Sequence, residues 1–380
     1  MASGYRNQNL VTILVIITCS ATISVLLSLE FSNRHVSVTS MTKCVCSETK
    51  WRSEVLEEDR IRREAEGGLV TVQHEEPPPW MHIKRGDLEY PTYSESLAAI
   101  QPRRKQHLNN MCHKSLPINH PHHIHNDTLK HLYVNEKYKF VYCSVPKAGC
   151  TNWKRVMMAI NNSSLVVTSI SRDDAHHGNM KTLIDYHEDE RKHILSHYQK
   201  FLFTRDPFVR LLSAYKDKFM GIRNLDCERH SYYFKNIAAD IMSRFRKSVS
   251  RKTLQNGEGV RWTEFIRYII NTKDRMQLNE HWQSTNSLCA PCSISYDYIG
   301  KLETVREDSA RLLRRFEIRD KRIFYPKSNN PTRRDSAEFY DAFGAITINE
   351  LRELWGIYEI DFLLFNYTQP QFLTSSIKEK

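Results

Sequence analysis

Lys147 and Arg205 each follow a short apolar run and precede an amphipathic pattern typical of a helix. Lys147 lies in residues 139–155 (KFVYCSVPKAGCTNWKR), and Arg205 lies in residues 200–219 (KFLFTRDPFVRLLSAYKDKF). A turn between a strand and a helix points free backbone N–H groups and the positive end of the helix dipole at one place, which favours an anion. Two such turns, each with its own cation, predict a ligand with phosphate-like groups at both ends.

The first turn has features of a phosphate-binding loop without the spacing of a nucleoside triphosphatase. Gly149 permits close approach of the backbone, and Thr151 adds a hydroxyl. The GxxxxGK[ST] pattern is absent, and an enzyme that uses ATP would normally hold magnesium on a hydroxyl and a carboxylate. A sulfuryl group carries one negative charge, so its transfer can proceed with lysine and N–H donors alone. The loop therefore favours sulfuryl transfer over a nucleotide kinase.

The second turn combines a helix start with an arginine and a hydroxyl. Asp206 is suited to cap the helix, and Pro207 is suited to its first position. Ser213 lies two turns along from Asp206, so we expect it to face the same side as the helix N-terminus. Arg205 and Ser213 would converge there on an isolated phosphate.

Together these segments resemble the membrane-bound carbohydrate sulfotransferases, the group that includes the chondroitin and dermatan 4-O-sulfotransferases and the HNK-1 sulfotransferase. PKxxxTNWKR is similar to the 5′-phosphosulfate loop of that family, and R-[DE]-P-F-x-R-L-x-S-A-[YF] is similar to its 3′-phosphate loop. Residues 279–309 and 358–367 also resemble the family, and the likeness covers about residues 110–370. NEHWQ and residues 175–183 are most similar to the chondroitin 4-O-sulfotransferase branch.

The resemblance implies 3′-phosphoadenosine 5′-phosphosulfate as the sulfate donor, with no metal required. Cys150 is interpreted as a packing residue rather than a nucleophile, and Arg155 either contacts the 5′-phosphate or pairs with a carboxylate. The donor-binding positions that the resemblance implies are Pro146, Lys147, Ala148, Gly149, Cys150, Thr151, Asn152, Arg155, Arg205, Asp206, Pro207, Phe208, Val209, Arg210, Leu211, Leu212 and Ser213.

Sulfuryl transfer needs an in-line hydroxyl, a base for its proton and charge stabilisation at the leaving oxygen. Lys147 is the candidate for stabilising the leaving oxygen. Histidine is the side chain best suited as the base, because its pKa lies near neutral. His176 lies between the two loops in sequence and matches the position of a histidine in the 4-O-sulfotransferases. His281 is the second candidate for the base, or alternatively orients a sugar beside the ring of Trp282.

The charge of the chain favours a polyanionic partner. The formal net charge is +11, which is compatible with an acidic glycosaminoglycan, an acidic glycoprotein glycan or nucleic acid. Arg333 and Arg334 are candidate acceptor contacts, although charge runs are usually solvated surface. A second basic run of the same kind contains Arg244, Arg246, Lys247, Arg251 and Lys252.

The N-terminal segment predicts the compartment. Residues 11–29 are uncharged, long enough to span a hydrocarbon core, and follow a short positive flank. These features predict a single-pass type II protein of the Golgi membrane, whereas a cleaved signal peptide is the alternative. Glycosylation sequons at Asn126, Asn162 and Asn366 are consistent with a lumenal chain. A lumenal location makes nucleic acid an unsuitable partner.

Cysteine usage agrees with that compartment. Cys19 lies in the apolar run, and the remaining eight of the nine cysteines follow it. In an oxidising lumen they predict disulfides with unassigned pairing. A metal site with Cys112, His113, His122, His123 and His125 is the alternative. The preferred disulfide participants are Cys112, Cys143, Cys289 and Cys292.

Alternating strand and helix patterns predict a three-layer α/β fold around a parallel sheet, with ligand at the carboxyl ends of the strands. The resemblance implies the P-loop-like sulfotransferase version. Predicted strands are residues 140–142, 201–203, 294–299 and 322–325, and predicted helices include residues 263–270, 305–316 and 348–360. The predicted organisation is a cytoplasmic tail (1–10), an anchor (11–29), a polar lumenal stem (30–105) and a catalytic domain (106–380).

The sequence as a whole predicts an enzyme that transfers sulfate to a glycan hydroxyl. Position 4 of N-acetylgalactosamine in chondroitin or dermatan is the acceptor that the resemblance implies. One alternative is sulfation of terminal N-acetylgalactosamine or glucuronate on glycoprotein glycans. Another is a lumenal glycan-binding protein without activity, which the intact Lys147, Arg205 and Ser213 disfavour.

Overall fold

The computed structural model describes residues 99–115, 124–220, 228–327 and 333–370. Within them, a four-stranded sheet runs in the order β1-β2-β3-β4. Strands β2, β3 and β4 are parallel, whereas β1 is antiparallel to β2, so the sheet is mixed rather than wholly parallel. The strands are β1 Leu132–Asn135, β2 Phe140–Cys143, β3 Gln199–Thr204 and β4 Tyr298–Lys301.

Helices precede, connect and follow these strands. A one-turn π-helix, Lys216–Met220, continues α6, and short 3₁₀ turns occur at Leu183–Asp185, Arg275–Gln277 and Leu302–Thr304. The α-helices are α1 Ile100–Ser115, α2 Asn126–His131, α3 Cys150–Asn161, α4 Arg172–His177, α5 Glu188–His197, α6 Pro207–Tyr215, α7 Glu228–Phe245, α8 Arg251–Asn256, α9 Trp262–Asn271, α10 Thr285–Cys289, α11 Val305–Arg315, α12 Ala337–Gly344 and α13 Ile348–Leu364.

Alternation along each strand separates two apolar layers, because successive side chains point to opposite faces of a sheet. Phe140 and Phe201 pack on one face with Trp153 of α3 and Leu312 of α11. The opposite face packs against α1, α5 and α10. A third apolar cluster lies among α6, α7, α9, α12 and α13. Helices therefore cover both faces of the sheet, as the sequence predicts.

Two strand predictions need correction. Residues 322–325 form no strand, because Tyr325 instead lies over the first turn, where its hydroxyl donates to the carbonyl of Gly149 at 3.2 Å. The strand predicted at 294–299 begins later, at Tyr298. The N–H of Ile294 is bonded to the carbonyl of Ala290, so this residue belongs to the turn after α10.

Two disulfides join distant parts of the chain, Cys112–Cys292 and Cys143–Cys289. They confirm the four predicted participants and supply the pairing that the sequence left open. The disulfide also removes the Cys112 thiolate from the alternative metal site. His122 and His123 of that site lie outside the described residues.

Helix α1 is bonded to β4 and α11. Gln101 Nε2 donates to the carbonyl of Ile299 at 3.0 Å, and Arg104 Nη1 lies 2.8 Å from Asp308 Oδ2. The predicted boundary between stem and domain thus falls inside α1. Residues 11–29, the predicted anchor, lie outside the described residues. Among the helices that are described, none is both long enough and apolar enough to cross a membrane.

Candidate active site

The two predicted cations meet at one edge of the sheet. Strands β2 and β3 are parallel neighbours, so the turns that follow them leave the same edge. Arg205 Nη1 donates to the main-chain carbonyl of Lys147 at 3.1 Å, and Arg205 is buried. The structure therefore brings the two turns into direct contact, although they are far apart in sequence.

The first turn depends on left-handed backbone conformations. Lys147 has a φ of 67°, and Gly149, which precedes α3, has a φ of 88°. A Cβ added to Gly149 would lie 2.1 Å from Tyr325 Oη. Glycine is needed here for both conformation and space, so that α3 can start with its N–H groups at the mouth of the turn.

Polar side chains of α3 continue the first turn. Asn152 Nδ2 donates to the carbonyl of Pro326 at 3.1 Å, and Asn152 Oδ1 accepts from Arg155 Nη1 at 3.0 Å. Arg155 Nε is a buried donor that has no hydrogen-bond partner among the described residues. An unsatisfied buried donor favours an anionic partner, and contact with the 5′-phosphate remains a prediction for this side chain. Cys150 is a buried free thiol, which agrees with its interpretation as a packing residue.

The second turn is capped as its sequence predicts. Asp206 Oδ1 accepts from the N–H groups of Phe208 and Val209, both at 3.0 Å, and Pro207 begins the helix. Asp206 Oδ2 pairs with Arg334. Asp206 thus shapes the turn, and its carboxylate occupies two N–H groups that were candidates for the donor.

Several other predicted donor contacts of α6 face the core instead. Phe208 packs on Phe343 and Phe362 at ring-centroid distances of 5.0 and 5.1 Å. The apolar side chains of α6 are buried because one helical face must cover the core. Ser213 is half-buried. The predicted donor contacts that are instead buried core side chains are Phe208, Val209, Leu211 and Leu212.

Arg210 also has a role other than the predicted one. Its guanidinium is buried and donates to three carbonyls, those of Pro146 at 2.8 Å, Gln283 at 2.5 Å and Glu280 at 2.9 Å. These contacts tie the first turn to the loop that carries His281. Arg210 is therefore a positioning residue rather than a ligand of the donor.

A cluster of charges, absent from the sequence-based set, surrounds the Lys147 ammonium. Lys147 Nζ lies 3.2 Å from Asp217 Oδ2, and Asp217 also contacts Arg172 and Lys218. Although burial alone would raise it, the pKa of Asp217 lies well below its usual range because of Lys147, Lys218 and Arg172. Burial lowers the pKa of Lys218 to about 8. The signal in the sequence was the KDK triplet at 216–218, directly after an apolar helix.

His176 lies beside the first turn. Its Nε2 is 3.0 Å from Thr151 Oγ1, at the start of α3. Partial removal from water, followed by the positive charges of Lys154, Arg172 and Lys218, lowers the pKa of His176 to about 3. The residue remains exposed on its outer side. Its imidazole is therefore neutral at pH 7, and a pKa this low makes it a weaker proton acceptor than an ordinary histidine.

His281 lies near the charge cluster, since its positive charge acts on Asp217. Its Nδ1 is 2.7 Å from Asn279 Oδ1, and its ring packs edge-on against Phe234 at 5.6 Å. The suggested sugar platform beside it is wrong, because Trp282 is fully buried and packs against Phe265 at 5.3 Å.

The predicted surface features divide into paired and exposed side chains. Arg244 pairs with Asp240, and Arg246 with Glu264, so both have a structural function beside any acceptor contact. Arg333 pairs with Asp335. The sequon residues, all exposed, are Asn126, Asn162 and Asn366.

Comparison with known proteins covers both turns, since residues 130–368 match the Sulfotransferase family. The chain belongs to this family. This sulfotransferase is 40% identical to carbohydrate sulfotransferase 11 of Rattus norvegicus over 252 residues. The aligned region covers 64% of this chain and 69% of the relative. It is 31% identical over 320 residues to carbohydrate sulfotransferase 14 of Danio rerio, with 81% and 83% covered. No solved structure matches the chain.

Proposed function

We propose that this sulfotransferase moves the sulfuryl group of 3′-phosphoadenosine 5′-phosphosulfate to a hydroxyl of a glycan. The observation that carries the proposal is the contact between the two cationic turns, in which Arg205 binds the carbonyl of Lys147 at 3.1 Å. A donor with anionic groups at both ends fits two adjoining anion sites. The first turn would hold the phosphosulfate, and the second turn, with Ser213, the 3′-phosphate.

The transfer step follows from this placement. The acceptor oxygen attacks sulfur in line, and the bond between sulfur and the bridging oxygen of the 5′-phosphate breaks. The bridging oxygen leaves with the electron pair, and the Lys147 ammonium stabilises its charge. The proton of the acceptor hydroxyl passes to a base, for which His176 is the first candidate because it lies 3.0 Å from Thr151 of the first turn. His281 is the second candidate.

The acceptor is proposed from the relatives and from charge. The names of the similar proteins describe carbohydrate sulfotransferases, and the net charge of +11 favours an acidic glycan. We propose position 4 of N-acetylgalactosamine in chondroitin or dermatan as the acceptor hydroxyl. Sulfation of terminal N-acetylgalactosamine or glucuronate on glycoprotein glycans is the second candidate.

The proposed location is the Golgi membrane, with residues 11–29 as a type II anchor and the catalytic part in the lumen. Both disulfides suit an oxidising compartment, and the exposed sequon residues Asn126, Asn162 and Asn366 suit a glycosylating one. The P-loop-like form of the sulfotransferase fold belongs to the same proposal, supported by the parallel β2 and β3 with a cationic turn after each.

The test is transfer of labelled sulfate by the purified full-length chain. The acceptor panel contains desulfated chondroitin, desulfated dermatan and glycoprotein glycans, and products are digested to disaccharides. We expect label on position 4 of N-acetylgalactosamine from chondroitin or dermatan, and none with Lys147→Ala. Label only on glycoprotein glycans would select the second candidate. An absence of label on every glycan would contradict the proposal.

A further inference from the structure

Asp217 lies where cations from three parts of the chain meet. Its Oδ2 is 3.2 Å from Lys147 Nζ and 3.2 Å from Lys218 Nζ. Both of its carboxylate oxygens are 3.2 Å from Arg172 Nη2. Lys147 belongs to the first turn, Arg172 begins α4, and Lys218 lies in the π-helical turn. One carboxylate therefore holds three separate segments together at the first turn.

The position of Asp217 depends on the π-helical turn Lys216–Met220 that extends α6. The wider turn changes the direction of the side chains that follow relative to α6, and such turns occur often at functional sites. Lys218, although charged, is almost fully buried, with its ammonium 4.6 Å from the ring centroid of Phe234. The sequence of the KDK triplet at 216–218 suggests solvated surface, but Asp217 and Lys218 point into the protein.

The charges of this cluster do not balance among its own members. Lys147 and Arg172 carry two positive charges beside the single carboxylate of Asp217. Like charges held together in a partly buried site repel one another, so a further anion stabilises the arrangement. A phosphosulfate is an anion of this kind.

We propose that Asp217 is a positioning residue for sulfuryl transfer, which holds the Lys147 ammonium at the first turn and gathers Arg172 and Lys218 beside it as additional cations for the donor. This inference rests on the proposed function. Asp217 acts through Lys147 and does not itself touch the reacting atoms.

The proposal has a consequence for the pH dependence. Burial lowers the pKa of Lys147, Asp217 raises it by charge and hydrogen bonding, and Arg172 and Arg205 lower it. Lys218 is a further cation facing Lys147. Without the negative charge of Asp217, burial and the three cations all lower the pKa of Lys147. Lys147 then loses its proton at lower pH, and a neutral amine cannot stabilise the leaving oxygen.

The experiment measures kcat/KM for the donor against pH in the full-length chain, because this quantity reports groups of the free enzyme. For Asp217→Asn we expect the alkaline limb to move down by about one pH unit or more. At neutral pH we expect kcat/KM to fall by about tenfold or more. Asp217→Glu, which restores the charge, should keep the limb near its original pH. The control is Asp189→Asn, a fully exposed carboxylate of α5 paired with Lys192, which should behave as the unchanged chain.

A second variant tests the proposal through a shift of the alkaline limb in the opposite direction. Arg172 is half exposed, so Arg172→Gln should fold. It removes a cation that lowers the pKa of Lys147, so the alkaline limb should move up while the KM for the donor rises. If Asp217→Asn does not fold, the shift of the alkaline limb in Arg172→Gln tests the proposal in its place.

Failure of the inference is separable from failure of the proposed function. Coincident alkaline limbs in the folded Asp217→Asn variant and the unchanged chain would overturn the role of Asp217, and so would a limb that does not rise in Arg172→Gln. Both results leave the transfer activity itself in place. If the unchanged chain fails to bind adenosine 3′,5′-bisphosphate, the proposed function falls first.

Discussion

The guanidinium of Arg205 donates a hydrogen bond to the main-chain carbonyl of Lys147 at 3.1 Å. The cation of the second turn thereby fixes the backbone of the first. Because Lys147 has a φ of 67°, a conformation that non-glycine residues rarely adopt, its carbonyl direction depends on such a partner. The two proposed anion sites are consequently held at a set spacing, which is the property required to bind a ligand at both ends.

Replacement of Gly149 by alanine should impair donor binding. An alanine at a φ of 88° is strained, and its Cβ would lie 2.1 Å from Tyr325 Oη. The strain costs about 1–2 kcal/mol, and we expect the affinity for adenosine 3′,5′-bisphosphate to fall by about tenfold or more. Calorimetric titration of the variant measures the change.

The matched control is Gly356→Ala. Gly356 is in α13, where a Cβ meets nothing within 4 Å. Alanine has the higher helix propensity, so the variant should be more stable by about 0.5–1 kcal/mol and should bind the nucleotide as before. Equal affinities of the two variants would show that the left-handed turn is not needed.

The two candidate bases make different predictions. His176→Ala should lower kcat by about 10²–10⁴-fold while adenosine 3′,5′-bisphosphate still binds, because the imidazole acts on the acceptor proton. His177→Ala, its exposed neighbour on α4, is the control and should retain activity. A full kcat in His176→Ala together with a large loss in His281→Ala would transfer the role to His281.

The pH profile of the unchanged chain tests the state of His176. A base must be unprotonated, and the pKa of His176 is lowered to about 3 by burial and by the cations Lys154, Arg172 and Lys218. Activity that depends on this base is therefore present above its pKa and lost only when the pH falls through it. We expect kcat/KM to show no acid limb between about pH 5 and 7. A limb near pH 6.5 would indicate an ordinary histidine.

Arg210 should matter for stability. Its guanidinium donates to the carbonyls of Pro146, Gln283 and Glu280, and it is buried. Arg210→Met leaves these acceptors without a donor, so we expect a loss of about 3 kcal/mol or more in the free energy of unfolding. Urea unfolding followed by circular dichroism measures it. Arg314→Met, at an exposed position of α11, should change stability by less than about 0.5 kcal/mol, and equal losses would contradict the positioning role.

The sequence predicted the elements whose signals are local. Helices α9, α11 and α13 and strands β2 and β3 lie close to their predicted ranges, because apolar periodicity and capping residues act over one or two turns. The strand predicted at 322–325 failed because a strand also needs a neighbour, and Tyr325 binds the first turn instead.

Side-chain roles were harder to predict than elements. Arg210 has the residue type and the motif position of a phosphate ligand, yet its contacts are carbonyls brought in by tertiary packing. Trp282 was expected at a surface, but Phe265 and Phe234 enclose it. Asp217 was missed because charged residues after a helix usually face water, whereas the π-helical turn directs this one toward Lys147.

The most direct measurement is calorimetric titration of the full-length chain with adenosine 3′,5′-bisphosphate. The two joined turns predict saturable binding at one site per chain, weakened by about tenfold or more in Lys147→Ala and in Arg205→Ala. Asp189→Asn should bind as the unchanged chain does. No heat of binding to the unchanged chain, or full affinity in both cation variants, would contradict the assignment of the donor site.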